Sequence, residues 1–216
     1  MKYELVIFDM DGTILDTLDD LADSLNYALT QSGMPTRTRA EVCNFVGNGI
    51  RKLIERGVPS GSTEEQIKGV HAIFTEYYKV HCVDKTQPYA GIPELIQTLR
   101  TAGVKTAVVS NKADYGVQEL CKQYFDGMFD VAVGERPTVR KKPAPDSVNE
   151  VLRQLGVDRT HALYVGDSDV DIETAKQADM DCVSVLWGFR DREFLLAHGA
   201  KDMISQPQEL LSRVFD

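Results

Sequence analysis

The chain has no excess of positive charge, no paired cysteines and no long apolar run. Lys and Arg number 24 against 33 Asp and Glu, a formal net charge of −9. A surface without a basic footprint argues against nucleic acid or an anionic membrane as partner. Cysteine is scarce: Cys43, Cys82, Cys121 and Cys182 are scattered, with no Cys-x-x-Cys pair and no histidine at zinc-ligand spacing. That pattern speaks against a disulfide framework or a zinc site, and predicts small buried or half-buried thiols in a reducing compartment. No segment approaches the roughly 18 consecutive apolar residues of a membrane span. The opening Met1-Lys2-Tyr3-Glu4, with few apolar residues before Asp9, is too short and too acidic for a secretory leader. A cytoplasmic location is the expectation. Repeats and low-complexity stretches are absent as well. What remains, 216 residues of which 43% are hydrophobic and 26% charged, is the composition of a globular protein long enough for a full core and a second small unit.

The most informative stretch that is present runs Val6-Ile7-Phe8-Asp9-Met10-Asp11-Gly12-Thr13. An apolar segment over 4–8 reads as a buried strand, and it ends in two carboxylates one residue apart. Side chains two apart point roughly the same way. Two negative charges at a buried edge are costly unless a cation or a shared proton offsets them. Further near-continuous apolar runs at 105–109, 129–133, 162–165 and 182–186 read as parallel strands covered on both faces. Helical spacing lies between them, over 92–102, 114–124, 145–155 and 170–178, the last with Asp169 as its expected N-cap. This alternation predicts a doubly wound, mostly parallel, Rossmann-like α/β sheet. The interval between the first two strands is far longer than one crossover helix needs. Helical patterns at Leu18–Leu29, 40–56 and 64–80 predict an inserted helical cap over 16–86, leaving 1–15 and 87–216 as the α/β core. The alternative is a set of extra helices packed rigidly on the sheet.

In open α/β sheets ligands bind outside the carboxyl ends of the strands. The notable polar residues fall there: Asp9 and Asp11 after the first strand, Ser110-Asn111-Lys112 after the second, Lys142 after the third, and Asp167 and Asp171 after the fourth. Each has a plainer alternative. Ser110 can cap the next helix, Lys142 can be a solvated charge beside Lys141, and Asp167 and Asp171 can be helix caps. Convergence of all of them on one sheet edge is the stronger signal. His71, His81, His161 and His198 lie near no such cluster.

At these residues the chain resembles the haloacid dehalogenase superfamily of phosphohydrolases. Asp9-Met10-Asp11-Gly12-Thr13, Ser110, Lys142 before Pro143, and Gly166-Asp167-Ser168 with Asp171 match its four motifs in order. The insertion looks like that family's small helical cap. Within the superfamily, Phe45-Val46-Gly47-Asn48-Gly49, Ser110-Asn111-Lys112 and Leu186-Trp187-Gly188-Phe189-Arg190 resemble phosphoglycolate phosphatases. The resemblance implies a Mg2+-dependent phosphomonoester hydrolase working through an aspartyl-phosphate. Asp9 would be nucleophile, and Asp11 general acid and base, a role that needs it protonated when substrate arrives, the form that nearby negative charge favours. Ser110, Asn111 and Lys142 would hold the phosphoryl group. Asp9, the Asp11 carbonyl and Asp167 would ligate the metal, with Asp171 joining or orienting them. Lys112 and Arg190 would lend charge, and Gly47-Asn48-Gly49 would either meet a substrate carboxylate or simply break a helix. The implied partner is a small phosphorylated metabolite, with no nucleic acid and no membrane, and the assembly a monomer or homodimer. Alternatives on the same scaffold are a pyrophosphatase, a sugar-phosphate phosphatase or a phosphotransferase like β-phosphoglucomutase. A receiver-like phosphoacceptor module is the non-enzymatic one.

Overall fold

Four apolar residues, all buried, form β1 (Leu5–Phe8). In the computed structural model, which describes residues 1–216, this strand takes an inner position in a six-stranded sheet. The protein divides into two compact units, Met1–Leu15 with Pro88–Asp216, and Asp16–Gln87. Two short strands, β2 (Leu15–Asp16) and β3 (Gln87–Pro88), pair with each other where the chain passes from one unit to the other and back. The remaining strands of the large sheet are β4 (Lys105–Ala113), β5 (Val131–Glu135), β6 (Ala162–Gly166), β7 (Asp181–Val185) and β8 (Asp202–Ile204). Their order is β5-β4-β1-β6-β7-β8, and every adjacent pair is parallel. The doubly wound α/β reading holds, with three corrections. The second strand, β4, continues through Ser110-Asn111-Lys112 to Ala113 instead of ending before them. A sixth strand, β8, is present where the apolar pattern predicts none, and the third strand begins two residues later than its apolar run. Asp130, just before it, instead turns its carboxylate to the Thr106 N–H, 2.8 Å away.

The unit Asp16–Gln87 is helical. It comprises α1 (Leu18–Gln31), α2 (Arg39–Phe45), α3 (Ile50–Gly57) and α4 (Glu64–His81). Leu21, Leu25, Ala28 and Leu29 of α1 are buried, as are Val70, Phe74 and Tyr78 of α4, the stripe that helical spacing demands. Thr38 and Thr63 start α2 and α4 with reciprocal capping boxes. Buried Asp20 accepts the N–H groups of Lys85 and Thr86, at 3.0 and 2.8 Å, and so ties the end of the unit to its first helix. The single helix predicted over 40–56 is two: the chain breaks at Val46-Gly47-Asn48-Gly49, where Gly47 has φ +118 and Gly49 φ +83. Arg56 spans the break, donating to Phe45 O and Asn48 Oδ1 at 2.7 and 2.8 Å.

Helices α5 (Ile92–Thr101), α6 (Asp114–Tyr124), α7 (Asp146–Leu155), α8 (Asp169–Gln177), α9 (Arg192–Ala197) and α10 (Glu209–Phe215) belong to the sheet unit. Val148, Val151 and Leu152 of α7 pack with Leu5, Ile7, Val109 and Tyr164 of the strands in one buried cluster. Burying each such Leu or Ile contributes roughly 1.5–3 kcal/mol. The N-cap of α8 is Ser168 rather than Asp169, because Ser168 and Asp171 form a capping box. No helix is long and apolar enough to cross a membrane.

Candidate active site

The connection from β1 leads toward β4, and that from β6 leads toward β7 on the opposite side. The crevice between the carboxyl ends of β1 and β6 is therefore the topological switch point. Asp9 stands at its lip, its N–H donating to Val165 O at 2.9 Å. Beyond Asp9 the chain folds back tightly. Met10 O accepts from Thr13, Ile14 and Leu15 at 3.2, 3.0 and 3.1 Å. Gly12 has φ +84, and a Cβ there would run into the Asp167 carboxylate. Asp167 follows β6. Its Oδ1 accepts from Thr13 Oγ1 at 3.3 Å and its Oδ2 from the Phe189 N–H at 2.7 Å. The first motif and the stretch around Phe189 thus grip the same carboxylate.

Lys142 is buried, and its ammonium lies 2.8 Å from Asp9 Oδ1 and 2.7 Å from Asp171 Oδ1. It is no solvated surface charge. Asp171 is wholly buried. Its Oδ2 accepts from Ser168 Oγ at 2.6 Å and from Ser168 N at 3.1 Å, while its Oδ1 takes Lys142 and, at 3.3 Å, the Tyr164 hydroxyl. The helix-cap alternative and the site role are thus one arrangement: the carboxylate that caps α8 also anchors Lys142. With both oxygens engaged by protein donors, Asp171 fits the orienting position rather than that of a direct ligand. Tyr164 has no functional reading in the sequence, yet its hydroxyl lies 3.1 Å from Lys142 Nζ.

On the neighbouring strand, Ser110 Oγ accepts the Lys112 N–H at 3.2 Å, leaving the hydroxyl proton available. The Asn111 side chain donates to Lys142 O at 3.1 Å, joining the second and third motif loops. Lys112 Nζ lies 2.9 Å from Asp11 Oδ1. Asp11 thus stands close enough to Asp9 for their negative charges to interact, while the charged group bonded to it is an ammonium.

Asp9, Asp167 and Asp171 offer oxygen atoms all within 4.8 Å of one another, and all three residues are buried. Burial, and then the charge of Asp171, push the Asp9 carboxyl up to about 7 against the pull of Lys142. Burial, Asp171 and Asp9 hold Asp167 well above the usual carboxylate range, opposed by the Phe189 N–H and Arg190. Burial pulls Lys142 down, but Asp171 and Asp9 overturn this and keep it well above the usual lysine value. One ammonium thus faces three crowded carboxylates. An all-oxygen donor set short of positive charge fits a hard divalent cation such as Mg2+.

The sequence profile of haloacid dehalogenase-like hydrolases matches residues 6–185. Phosphoglycolate phosphatase of Aquifex aeolicus is 35% identical over 190 residues, which span 86% of this chain and 85% of that one. N-acetylmuramic acid 6-phosphate phosphatase of Pseudomonas aeruginosa is 29% identical over 213 residues, spanning 98% and 94%. Among solved structures, that of a candidate phosphoglycolate phosphatase from Lactobacillus delbrueckii subsp. bulgaricus superposes with a TM-score of 0.94 at 40% identity, covering 99% of each chain.

Proposed function

The chain belongs to the haloacid dehalogenase-like hydrolases, and we propose that it is a Mg2+-dependent phosphomonoesterase whose substrate is phosphoglycolate. The observation that carries this reading is the pairing of Asp9 Oδ1 with Lys142 Nζ at 2.8 Å beside Asp167 at the switch point. Asp9 is the nucleophile. Its carboxylate attacks phosphorus, the bond from phosphorus to the leaving oxygen breaks, and an aspartyl-phosphate forms. Asp11 gives its proton to the leaving alkoxide, then takes one from the water that cleaves the aspartyl-phosphate. Ser110 turns its free hydroxyl proton to a phosphoryl oxygen. Lys142, fixed by Asp171, neutralises charge on the phosphoryl group and on Asp9. Asn111 holds the Lys142 loop and lends its N–H to the phosphoryl oxygens.

Asp9, the Asp11 carbonyl and Asp167 would hold the cation, with Asp171 orienting them through Lys142. Such a cation supplies the positive charge that lets an anionic nucleophile approach an anionic phosphate. In this reading residues 1–15 and 87–216 perform the chemistry and the helical insert 16–86 selects the substrate. The phosphoglycolate assignment draws on the names of the relatives. A second reading, a sugar-acid phosphate such as N-acetylmuramate 6-phosphate, draws on the relative that spans 98% of the chain.

The test is phosphate release from phosphoglycolate, N-acetylmuramate 6-phosphate, a hexose phosphate and pyrophosphate, in Mg2+ and in excess chelator. We expect the highest kcat/KM on phosphoglycolate, and silence in chelator. Preference for another ester would overturn the substrate assignment alone. Undiminished turnover in chelator would remove the cation, and no release from any ester in Mg2+ would remove the phosphatase.

A further inference from the structure

Lys112 has no part in the chemistry above, yet it is only 5% exposed. A buried ammonium is costly unless an opposite charge meets it, and the charge that meets this one is Asp11 Oδ1, 2.9 Å from its Nζ. Two features of the fold hold the lysine there. Its N–H is bonded to Ser110 Oγ, fixing the backbone at the end of the site. Its aliphatic stem then crosses the surface of α6 at Gly116, where an added Cβ would lie 3.5 Å from its Cγ and Cδ. Asp11 makes no other side-chain hydrogen bond, so Oδ1 is engaged and Oδ2 is open.

We propose that Lys112 is a positioning residue for Asp11: its ammonium holds Oδ1 and so makes Oδ2 the oxygen that carries the proton. The proposal rests on the reading of Asp11 as general acid and base. In the first step the Oδ2–H bond breaks and its proton passes to the leaving alkoxide as that oxygen parts from phosphorus. In the second, a water O–H bond breaks, its oxygen bonds to phosphorus as the bond from phosphorus to Asp9 parts and returns Asp9 as a carboxylate, and the proton goes to Oδ2. Oδ1 stays on Lys112 throughout. A carboxyl group without that tether turns about its χ angles, and displacement by about 1 Å can cost 100-fold in rate.

The test compares kcat/KM in Mg2+ for two esters that differ in leaving group: phosphoglycolate, whose alkoxide needs a proton, and 4-nitrophenyl phosphate, whose phenolate leaves without one. For Lys112→Met we expect a fall of about 10- to 100-fold on phosphoglycolate and a fall of about threefold or less on the aryl ester. Asp11→Asn should show the same kind of split, and Lys112→Met added to Asp11→Asn should cost nothing more. Equal falls on both esters, no fall on either, or an undiminished further loss in the double variant would overturn the proposal. If Asp11→Asn itself shows no split, the acid assignment fails and the proposal with it. If Asp11→Asn shows the split and Lys112→Met does not, the proposal alone fails. Should Lys112→Met melt below the assay temperature, Lys112→Gln is read by the same criteria.

Discussion

Asp9 sits under opposing electrostatic demands. It is buried, and pushed up to about 7 by that burial and by Asp171, yet in the proposed role of nucleophile it would attack as the anion. Asp9→Asn keeps the shape and removes the charge. We expect phosphate release to fall on the order of 10,000-fold, on 4-nitrophenyl phosphate as much as on alkyl esters, because a better leaving group does not replace a nucleophile. Phosphate release under saturating Mg2+ checks this, and a variant within tenfold of the parent would contradict it. The residues that read clearly in the sequence are the ones whose position is costly without a purpose. Asp9 and Asp11 at the end of an apolar strand advertise themselves, and so do Asp167 and Asp171 after a second one. Tyr164 does not. In sequence it is one more large residue in a buried strand, and only the fold brings its hydroxyl 3.1 Å from Lys142, 22 residues away in the chain. Lys112 pairs with a residue 101 positions away, so no local pattern reveals that contact either.

At the level of elements, the loop after β1 has to do two things at once. It folds back within a few residues, and it brings its backbone against Asp167. Gly12 meets both demands through its positive φ and its missing side chain. Gly12→Ala should therefore lose about 1–3 kcal/mol of stability to backbone strain. By displacing Asp167 it should also raise the Mg2+ concentration for half-maximal activity by about 10-fold or more. Gly33→Ala is the control, since Gly33 also has positive φ, at +67, but nothing lies within 4 Å of an added Cβ. It should lower the melting temperature without moving the Mg2+ titration. An unchanged titration in Gly12→Ala would detach that loop from the cation site. The helices with clear apolar stripes, 92–102 and 114–124 among them, read well from sequence and end within a residue of their predicted limits. The elements that do not read are those too short to set up a pattern, or those in which backbone conformation overrides periodicity. β8 has only three residues, too few to set up an alternating or apolar signal. The apolar spacing of 40–56 runs unbroken across Val46–Gly49, but two glycines in positive φ part it into α2 and α3.

For the whole molecule, part of the negative charge that is visible in the net −9 gathers at one point in the sheet unit, where Asp9, Asp167 and Asp171 meet Lys142. A carboxyl group raised from 3.8 to about 7 on folding binds a proton in the folded state that the unfolded chain has already released. Its contribution to stability is fully present below 3.8 and is lost as the pH rises through about 7. Asp167 is shifted in the same direction. A divalent cation held there would reverse this, because it would bind the ionised carboxylates of the folded state and stabilise that state by mass action. The difference in melting temperature between Mg2+ and chelator should therefore be small at pH 5, widen through pH 7 and level off above it. Taking the difference at each pH cancels exposed pairs such as Glu55, held at about 2 by Lys52 and Arg51, which contribute alike with and without the cation. Thermal denaturation across that range at constant ionic strength measures it. An increment independent of pH would mean that the cation binds away from the raised carboxylates. No increment at any pH would mean that Lys142 alone balances the three acids.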